Sequence, residues 1–240
     1  MVASCIYHLI ESPMYCCVEC GKSTGEIFLR RKSYFQVNRC GNCGNFVDKY
    51  FELSATVQFI ELLLLKDEVL RHFIFNVSIS SRTFAFYITI LAWLKLVLLL
   101  RNSPFEVVIN HIYRHQYQKE MVNAFFLCKI GLYIIFIFLE YLSYVFVIKL
   151  FRFASNFNAA SILKVIVFSS YFQLFNFLAV IWDYQDCTVH EVVTDVLTTM
   201  ANIKSMSILT RKSCKNIYTG ILFAKAVSLG TSLVLKMLFD

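Results

Sequence analysis

Proline is scarce in this sequence, with two residues in 240, and charged residues make up only 16% of the chain. An ordinary soluble domain has about 25% charged residues. Hydrophobic residues account for 58%, and the mean hydropathy is +0.61. The composition therefore excludes a typical soluble fold and indicates that most of the chain lies in a lipid bilayer.

Signals for secretion and for catalysis are also missing. Residues 1–16 have no basic n-region, and His8 and Glu11 interrupt their apolar runs, so no secretory signal is predicted. The sequence contains no glycine-rich phosphate loop, no GxSxG elbow and no HExxH, since the HEVVT at His190 lacks the second histidine. We expect targeting through internal membrane spans, and we do not expect an enzyme.

Four apolar segments are long enough to cross a bilayer as helices: residues 83–100, 122–148, 162–182 and 217–239. A helix of about 20 residues is about 30 Å long, which matches the hydrocarbon core of a bilayer. The polar stretch 183–216 predicts a loop with some helix. We therefore predict a mainly α, polytopic helical membrane protein with about four transmembrane helices, which form a domain over residues 83–240.

Two charges within these segments are candidates for function. Glu140 lies well inside the second segment, where its short side chain cannot reach the headgroups, and Lys95 of the first segment is a candidate partner. A protonated Glu140 that hydrogen-bonds to another neighbour is the alternative. Lys129 and Lys164 lie near segment ends, where a long side chain can extend to the interface, so they need no functional explanation.

The N-terminal region carries two CxxC pairs, Cys17 with Cys20 and Cys40 with Cys43. The separation between the pairs is typical of four-cysteine zinc sites, in which each pair places two sulfurs on one tetrahedral ion. Four thiolates leave no open coordination position, so the expected Zn²⁺ is structural. Disulfides, another metal or free thiols are the alternatives. Cys16 would give a CxxxC with Cys20 and is the poorer ligand.

The predicted zinc-binding head, residues 1–54, resembles a zinc ribbon. A unit of this size cannot bury much apolar area, and a metal is a common way for it to hold one shape. The following segment, 55–82, is interrupted by Glu61 and Lys66 and cannot span a bilayer. It predicts an amphipathic helix that lies in the membrane interface, followed by a linker.

Two short motifs follow the second CxxC pair. The first is VDKYFE, with Val47, Asp48, Lys49, Tyr50 and Glu52, and the second is LRHFIFN, with Arg71, His72 and Asn76. This arrangement resembles the Arv family of endoplasmic reticulum membrane proteins. The N-terminal homology domain of that family combines a two-CxxC zinc motif, a VDKY-like stretch and a downstream Arg-His before several transmembrane helices. The similarity in these motifs extends to about residue 76.

The resemblance implies a role in sterol homeostasis and in sterol and lipid distribution from the endoplasmic reticulum, with links to sphingolipid balance and to the handling of GPI-anchor precursors. It implies a multi-pass protein of that membrane, with the Golgi as a second location. The implied partners are membrane lipids and other membrane proteins of the endoplasmic reticulum. A scaffold that recruits lipid-handling enzymes, without transport of its own, is the alternative function.

The basic run Arg30, Arg31 and Lys32 raises the question of nucleic-acid binding, which many zinc ribbons perform. In a membrane-embedded chain these cations are expected to meet anionic headgroups or a partner, so no nucleic-acid partner is predicted. The distribution of Lys and Arg, together with the need for reduced thiolates, favours a cytosolic head. Asn76-Val77-Ser78 is a glycosylation sequon, and a glycan on Asn76 would instead place the head in the lumen.

Overall fold

The computed structural model describes residues 15–30, 35–101, 157–182, 187–213, 217–227 and 230, together with scattered positions between 131 and 149. The chain divides into two compact units, with the boundary between Ser78 and Ile79. The first unit contains the cysteine-rich head and all the described strands. The second unit is helical throughout its described elements.

The strands of the first unit form two short antiparallel hairpins. They are β1 (Tyr15–Cys16) with β2 (Ser23–Thr24), and β3 (Phe28–Arg30) with β4 (Phe35–Val37). A single bridge between Arg39 and Phe46 closes a further turn. The β1–β2 hairpin encloses the first CxxC pair and the bridge encloses the second, so antiparallel pairing fixes the ends of both turns.

The helical elements of the first unit follow the second CxxC pair. They are a 3-10 helix (Lys49–Phe51), α1 (Ala55–Leu63), α2 (Asp67–Arg71) and a π-helix (His72–Asn76). Ser54 caps α1 by accepting the N–H of Val57 on its hydroxyl. Leu65 has a φ of +54°, in the left-handed region, and this backbone separates α1 from α2. Residues 55–76 are therefore divided into three short helical elements, where the sequence predicted one amphipathic helix followed by a linker.

The core of the first unit is small and is built around the cysteines. Cys17, Ile27, Cys40 and Val47 form a buried cluster, against which Tyr15 and Cys43 pack. Tyr50, Val69 and Leu70 are also completely buried. This core gives limited apolar stabilisation, as expected for a unit that depends on a cross-link or a metal.

The second unit contains five described helices and one 3-10 helix. They are α3 (Ser81–Arg101), α4 (Ala159–Ser169), the 3-10 helix (Ser170–Phe175), α5 (Asn176–Ile181), α6 (Cys187–Thr210) and α7 (Ile217–Val227). Asn158 caps α4 by accepting the N–H of Ala160. Helix α6 packs along α4 and the 3-10 helix.

The mainly helical architecture with a small cysteine-rich N-terminal region is confirmed. Among the described residues, one continuous helical stretch, Ala159–Leu178, is both long and apolar enough to cross a membrane. It consists of α4, the 3-10 helix and the start of α5, and it overlaps the third predicted segment. Helix α3 covers the first segment, and α7 covers the beginning of the fourth. Much of segment 122–148 lies outside the described residues. The number of spans therefore stays a prediction.

The polar stretch between the third and fourth segments forms a long helix, α6, where the sequence suggested mainly a loop. Its polar side chains recur at helical spacing and are buried: Thr194, Thr198, Asn202 and Ser205. The Thr194 hydroxyl donates to the Asn176 side-chain oxygen at 3.0 Å, and the Ser169 hydroxyl donates to Asn202. These residues face neighbouring helices, so a polar composition was a poor guide to a loop here.

Candidate metal centre

The four sulfur atoms of the CxxC pairs form one compact cluster. The Sγ atoms of Cys17 and Cys43 are 3.7 Å apart, as are those of Cys20 and Cys40, and all four lie within 4.8 Å of one another. A tetrahedron with Zn–S bonds of about 2.3 Å has edges of about 3.8 Å. A disulfide needs about 2.05 Å, so none is formed among these thiols. The donor set and its spacing fit a tetrahedral, thiolate-binding metal.

The two CxxC turns have the same backbone geometry. The N–H of Gly21 donates to the carbonyl of Cys17, and the N–H of Gly44 donates to that of Cys40, each at 2.9 Å. Both glycines have positive φ values, +73° and +76°, which a residue with a Cβ rarely adopts. Each turn thus presents its two sulfurs in the same way, as expected for a pair of zinc knuckles.

The thiols differ in how readily they ionise. Backbone N–H groups of Cys43 and then Asn42 lower the pKa of Cys40 to about 6. Burial raises the pKa of Cys17 to about 12. A divalent cation among the sulfurs would supply the charge that a buried thiolate requires, so the cluster suits a metal better than four free thiols.

Asp48 of the VDKY motif is completely buried and is the centre of a hydrogen-bond network. Its Oδ2 lies 2.7 Å from Nδ1 of His72 and accepts from Nδ2 of Asn76 at 2.6 Å. Its Oδ1 accepts the N–H of Tyr50 at 3.0 Å and so caps the 3-10 helix. The network joins Asp48 of the first motif to His72 and Asn76 of the second, which lie 24 and 28 residues further along the chain.

Asn76 extends this network to the first CxxC turn. Its Oδ1 accepts the N–H of Cys16 and its Nδ2 donates to the Cys16 carbonyl, both at 2.9 Å. Cys16 directly precedes Cys17, so Asn76 holds the start of the metal-binding turn. Since the amide nitrogen of Asn76 serves both Asp48 and Cys16, and the residue is only 7% exposed, a glycan does not fit this fold. The sequon is therefore unsuitable as the topology test that the sequence suggested.

Arg71 binds the same turn through its guanidinium group. Its Nη1 donates to the carbonyls of Val18 at 2.6 Å and Glu19 at 3.0 Å, which lie between the two cysteines of the first pair. Its Nη2 lies 3.3 Å from the Asp67 carboxylate. The planar guanidinium reaches these acceptors from two nitrogen atoms in a fixed arrangement, whereas an ammonium group offers a single nitrogen.

Tyr50 connects the motif to helix α1. The ring is fully buried, and its hydroxyl donates to the Glu61 carboxylate. Burial is the main cause of a raised Tyr50 pKa. Gln58 donates from its side-chain amide to the Tyr50 carbonyl at 2.8 Å. Gln58 and Glu61 of α1 are therefore both held by one residue of the motif.

The remaining predicted site residues have simpler positions. Val47 lies in the core, whereas Glu52 is exposed. Lys49 makes a 2.8 Å ion pair with Glu19, and this hydrogen bond raises the pKa of Lys49. The Lys49 side chain is 40% exposed, so the pair contributes little to stability.

The predicted intramembrane charges fall in the second unit. Lys95 lies on α3 within electrostatic range of Lys225 and Asp195, which form an ion pair at 2.9 Å. Glu140 lies outside the described residues, so its pairing with Lys95 stays a prediction. The ion pair between Asp195 and Lys225 joins α6 to α7 and was not predicted from the sequence.

Gln58, Glu61 and Cys16 were not identified from the sequence as parts of the site. Glu61 was treated only as an interruption of an apolar run. The available signal was the three-residue spacing of Gln58 and Glu61, which places both on one side of a helix with few other polar residues. The role of Cys16 depends on its backbone groups, which no sequence pattern marks.

Comparison with known proteins agrees with the motifs over a longer part of the chain. Residues 16–206 match the Arv1-like family. "Protein arv1" of Schizosaccharomyces pombe is 25% identical over 207 residues, which cover 81% of this chain and 74% of that protein. "Protein ARV 2" of Arabidopsis thaliana is 25% identical over 82% of this chain and 84% of its own length. "Protein ARV1" of Bos taurus is 26% identical over 78% and 67%.

No solved structure matches the chain. The family match includes both CxxC pairs, both motifs and most of the described helices of the second unit. The match therefore extends well beyond the head, whereas the motifs identified from the sequence all lie in the first unit. The chain belongs to the Arv1-like family.

Proposed function

We propose that the protein maintains sterol homeostasis and sterol and lipid distribution from the endoplasmic reticulum, as a multi-pass membrane protein with a cytosolic zinc head. The proposal extends to sphingolipid balance and to GPI-anchor precursors, as the family resemblance implies. Its main support is one observation. The three motifs on which the resemblance rests are in contact with one another in the first unit. They are the cysteine pairs, the VDKY stretch, and Arg71 with His72 and Asn76.

The metal in this proposal is Zn²⁺, held by Cys17, Cys20, Cys40 and Cys43. The tetrahedral spacing of four sulfurs supports zinc, and the reducing cytosol keeps the thiolates available. A four-thiolate site is closed to water and substrate, so the metal stabilises the head and performs no reaction. The protein is therefore proposed to act on lipids without enzymatic chemistry, with membrane lipids and neighbouring membrane proteins as its partners.

The test of this function is depletion of the protein from cells, followed by measurement of sterol and GPI-precursor distribution between the endoplasmic reticulum and the plasma membrane. We expect sterol to accumulate internally and the wild-type chain to restore its distribution. The Cys43→Ala variant should fail to restore it, whereas Glu52→Gln, at an exposed position of the same unit, should succeed. Normal distribution after depletion would refute the proposed function.

A scaffold that recruits lipid-handling enzymes is the second candidate, and it is favoured by the exposed polar surface of the head, which includes Lys22, Asn42 and Glu52. Purified protein reconstituted in vesicles separates the two candidates. Sterol exchange between vesicles without other proteins supports direct transport. Absence of exchange, combined with rescue in cells, supports the scaffold.

A further inference from the structure

Gln58 and Glu61 of helix α1 lie on the side that faces the rest of the first unit. Gln58 and Glu61 both bond to Tyr50, and Glu61 also pairs with Lys66 at 2.7 Å. Leu62 lies on the same side and is 7% exposed. The contacts with Tyr50 prevent α1 from turning these polar groups toward solvent.

The opposite side of α1 is exposed and mainly apolar, with Thr56 as its one polar side chain. Its large apolar side chains are Val57, Phe59 and Ile60, and Leu64 follows at the C-cap, with exposed fractions between 37% and 64%. Glu61 is the only charged residue between Ala55 and Leu64, and it faces inward. An ordinary surface helix has the reverse arrangement, with its apolar side inward. This face therefore needs an apolar environment that the first unit does not supply.

We propose that the outward face of α1 inserts into the interfacial region of a phospholipid bilayer and holds the head on the membrane. The inference rests on the proposed function only in placing the chain in a membrane. Along the chain, residues 77–80 alone separate Asn76 from α3, which covers the first predicted span. Short helices with an uncharged face of aliphatic and aromatic side chains are suited to this position.

Charge decides what kind of membrane contact this is. Residues 1–78 contain eight Lys and Arg and eight Asp and Glu, so their formal charges cancel. The outward face of α1 is itself uncharged, so its insertion depends on apolar burial. The insertion should therefore occur on zwitterionic bilayers without anionic lipid and should persist in high salt.

The experiment uses the full-length protein in phosphatidylcholine vesicles, with both native tryptophans removed by Trp93→Phe and Trp182→Phe. Phe59→Trp then places a single fluorophore on the outward face of α1. Phe46→Trp is the matched control, since Phe46 is also an exposed phenylalanine of the head but stacks against the Arg39 guanidinium at 4.9 Å. Both variants are measured with lipids brominated on the acyl chain, which quench only fluorophores at membrane depth.

We expect brominated lipid to quench the Phe59→Trp variant and to leave the Phe46→Trp variant unchanged. The quenching should persist with added phosphatidylserine and in high salt. Equal emission of the Phe59→Trp variant with and without bromine, in protein that retains its zinc, would overturn the inference. Equal quenching of both variants, or quenching that requires anionic lipid, would also overturn it. So would a Phe59→Trp fluorophore that becomes shielded from water only as the protein concentration rises, since this would indicate contact between copies.

A second variant separates this inference from the proposed function. Phe59→Gln with Ile60→Gln removes apolar surface but keeps good helix formers on α1. We expect this variant to retain its zinc content. In vesicles, the backbone amides of α1 should exchange hydrogen faster than those of the unmodified protein, as in a helix exposed to water. Sterol distribution in depleted cells is measured independently. Unaltered hydrogen exchange of α1 in this variant therefore refutes the membrane contact even where the proposed function holds.

Discussion

Replacing Asn76 by alanine removes one side chain that serves three buried groups. The N–H and the carbonyl of Cys16 each lose a bond of 2.9 Å, and Oδ2 of Asp48 loses a bond of 2.6 Å. A buried polar group left without its partner costs about 1–3 kcal/mol, and water that enters the space recovers part of this. We expect the variant to lose roughly 3 kcal/mol of stability in the first unit.

This loss should appear as weaker zinc binding, because the metal and the fold of a small unit stabilise each other. A change of roughly 3 kcal/mol corresponds to about a hundredfold in the dissociation constant. The assay is a competition titration of purified full-length protein with a chromophoric zinc chelator. Ser78→Ala is the matched control, since it destroys the same sequon but leaves the Asn76 side chain in place.

We expect Ser78→Ala to bind zinc like the unmodified protein. An Asn76→Ala protein that retains unmodified zinc affinity would refute the structural role of the network. Equal defects in both variants would indicate instead that the sequon matters, and that Asn76 is not held as described.

The other predictions concern the ligands and the two side chains that connect the motifs. Cys43→Ala should abolish stoichiometric zinc and the hydrogen-exchange protection of residues 15–30 and 35–76, and unchanged zinc content would contradict the site. Arg71→Lys should cost about 1–2 kcal/mol and lower the melting temperature of the head, whereas Arg30→Lys, at an exposed position of β3, should leave it unchanged. Tyr50→Phe should cost about 1 kcal/mol and speed hydrogen exchange in α1. Since Lys66 and then Tyr50 lower the pKa of Glu61 from its ordinary 4.5, this stabilisation is present above that pH and is lost as the pH falls through the lowered pKa. The effect of Tyr50→Phe should therefore diminish in acid, and an equal effect at all pH values would contradict the contact.

The clustering of the four cysteines was the part of the site that the sequence predicted best. A CxxC pair on a tight turn has few ways to present its sulfurs, so local spacing determines most of the geometry. Two such pairs in one small unit then converge because the core of that unit consists largely of the cysteines themselves. The spacing was therefore sufficient to predict the cluster that the structure contains.

The hydrogen-bond network could not be predicted from the sequence in the same way. Asn76 and Cys16 are 60 residues apart, and their contact depends on a π-helical turn that no motif marks. The orientation of α1 was also hidden, because the periodicity of its apolar residues does not tell which side faces the protein. Tertiary contacts with Tyr50 decide that orientation.

X-ray absorption spectroscopy at the zinc edge, on full-length protein purified without added metal, tests the central claim most directly. The account predicts one zinc per chain, surrounded by four sulfur atoms at about 2.3 Å and no nitrogen or oxygen ligand. The Cys20→Ala variant, prepared in parallel, should lack that signal. A shell with nitrogen or oxygen ligands, or a protein that contains disulfides and no zinc, would contradict it.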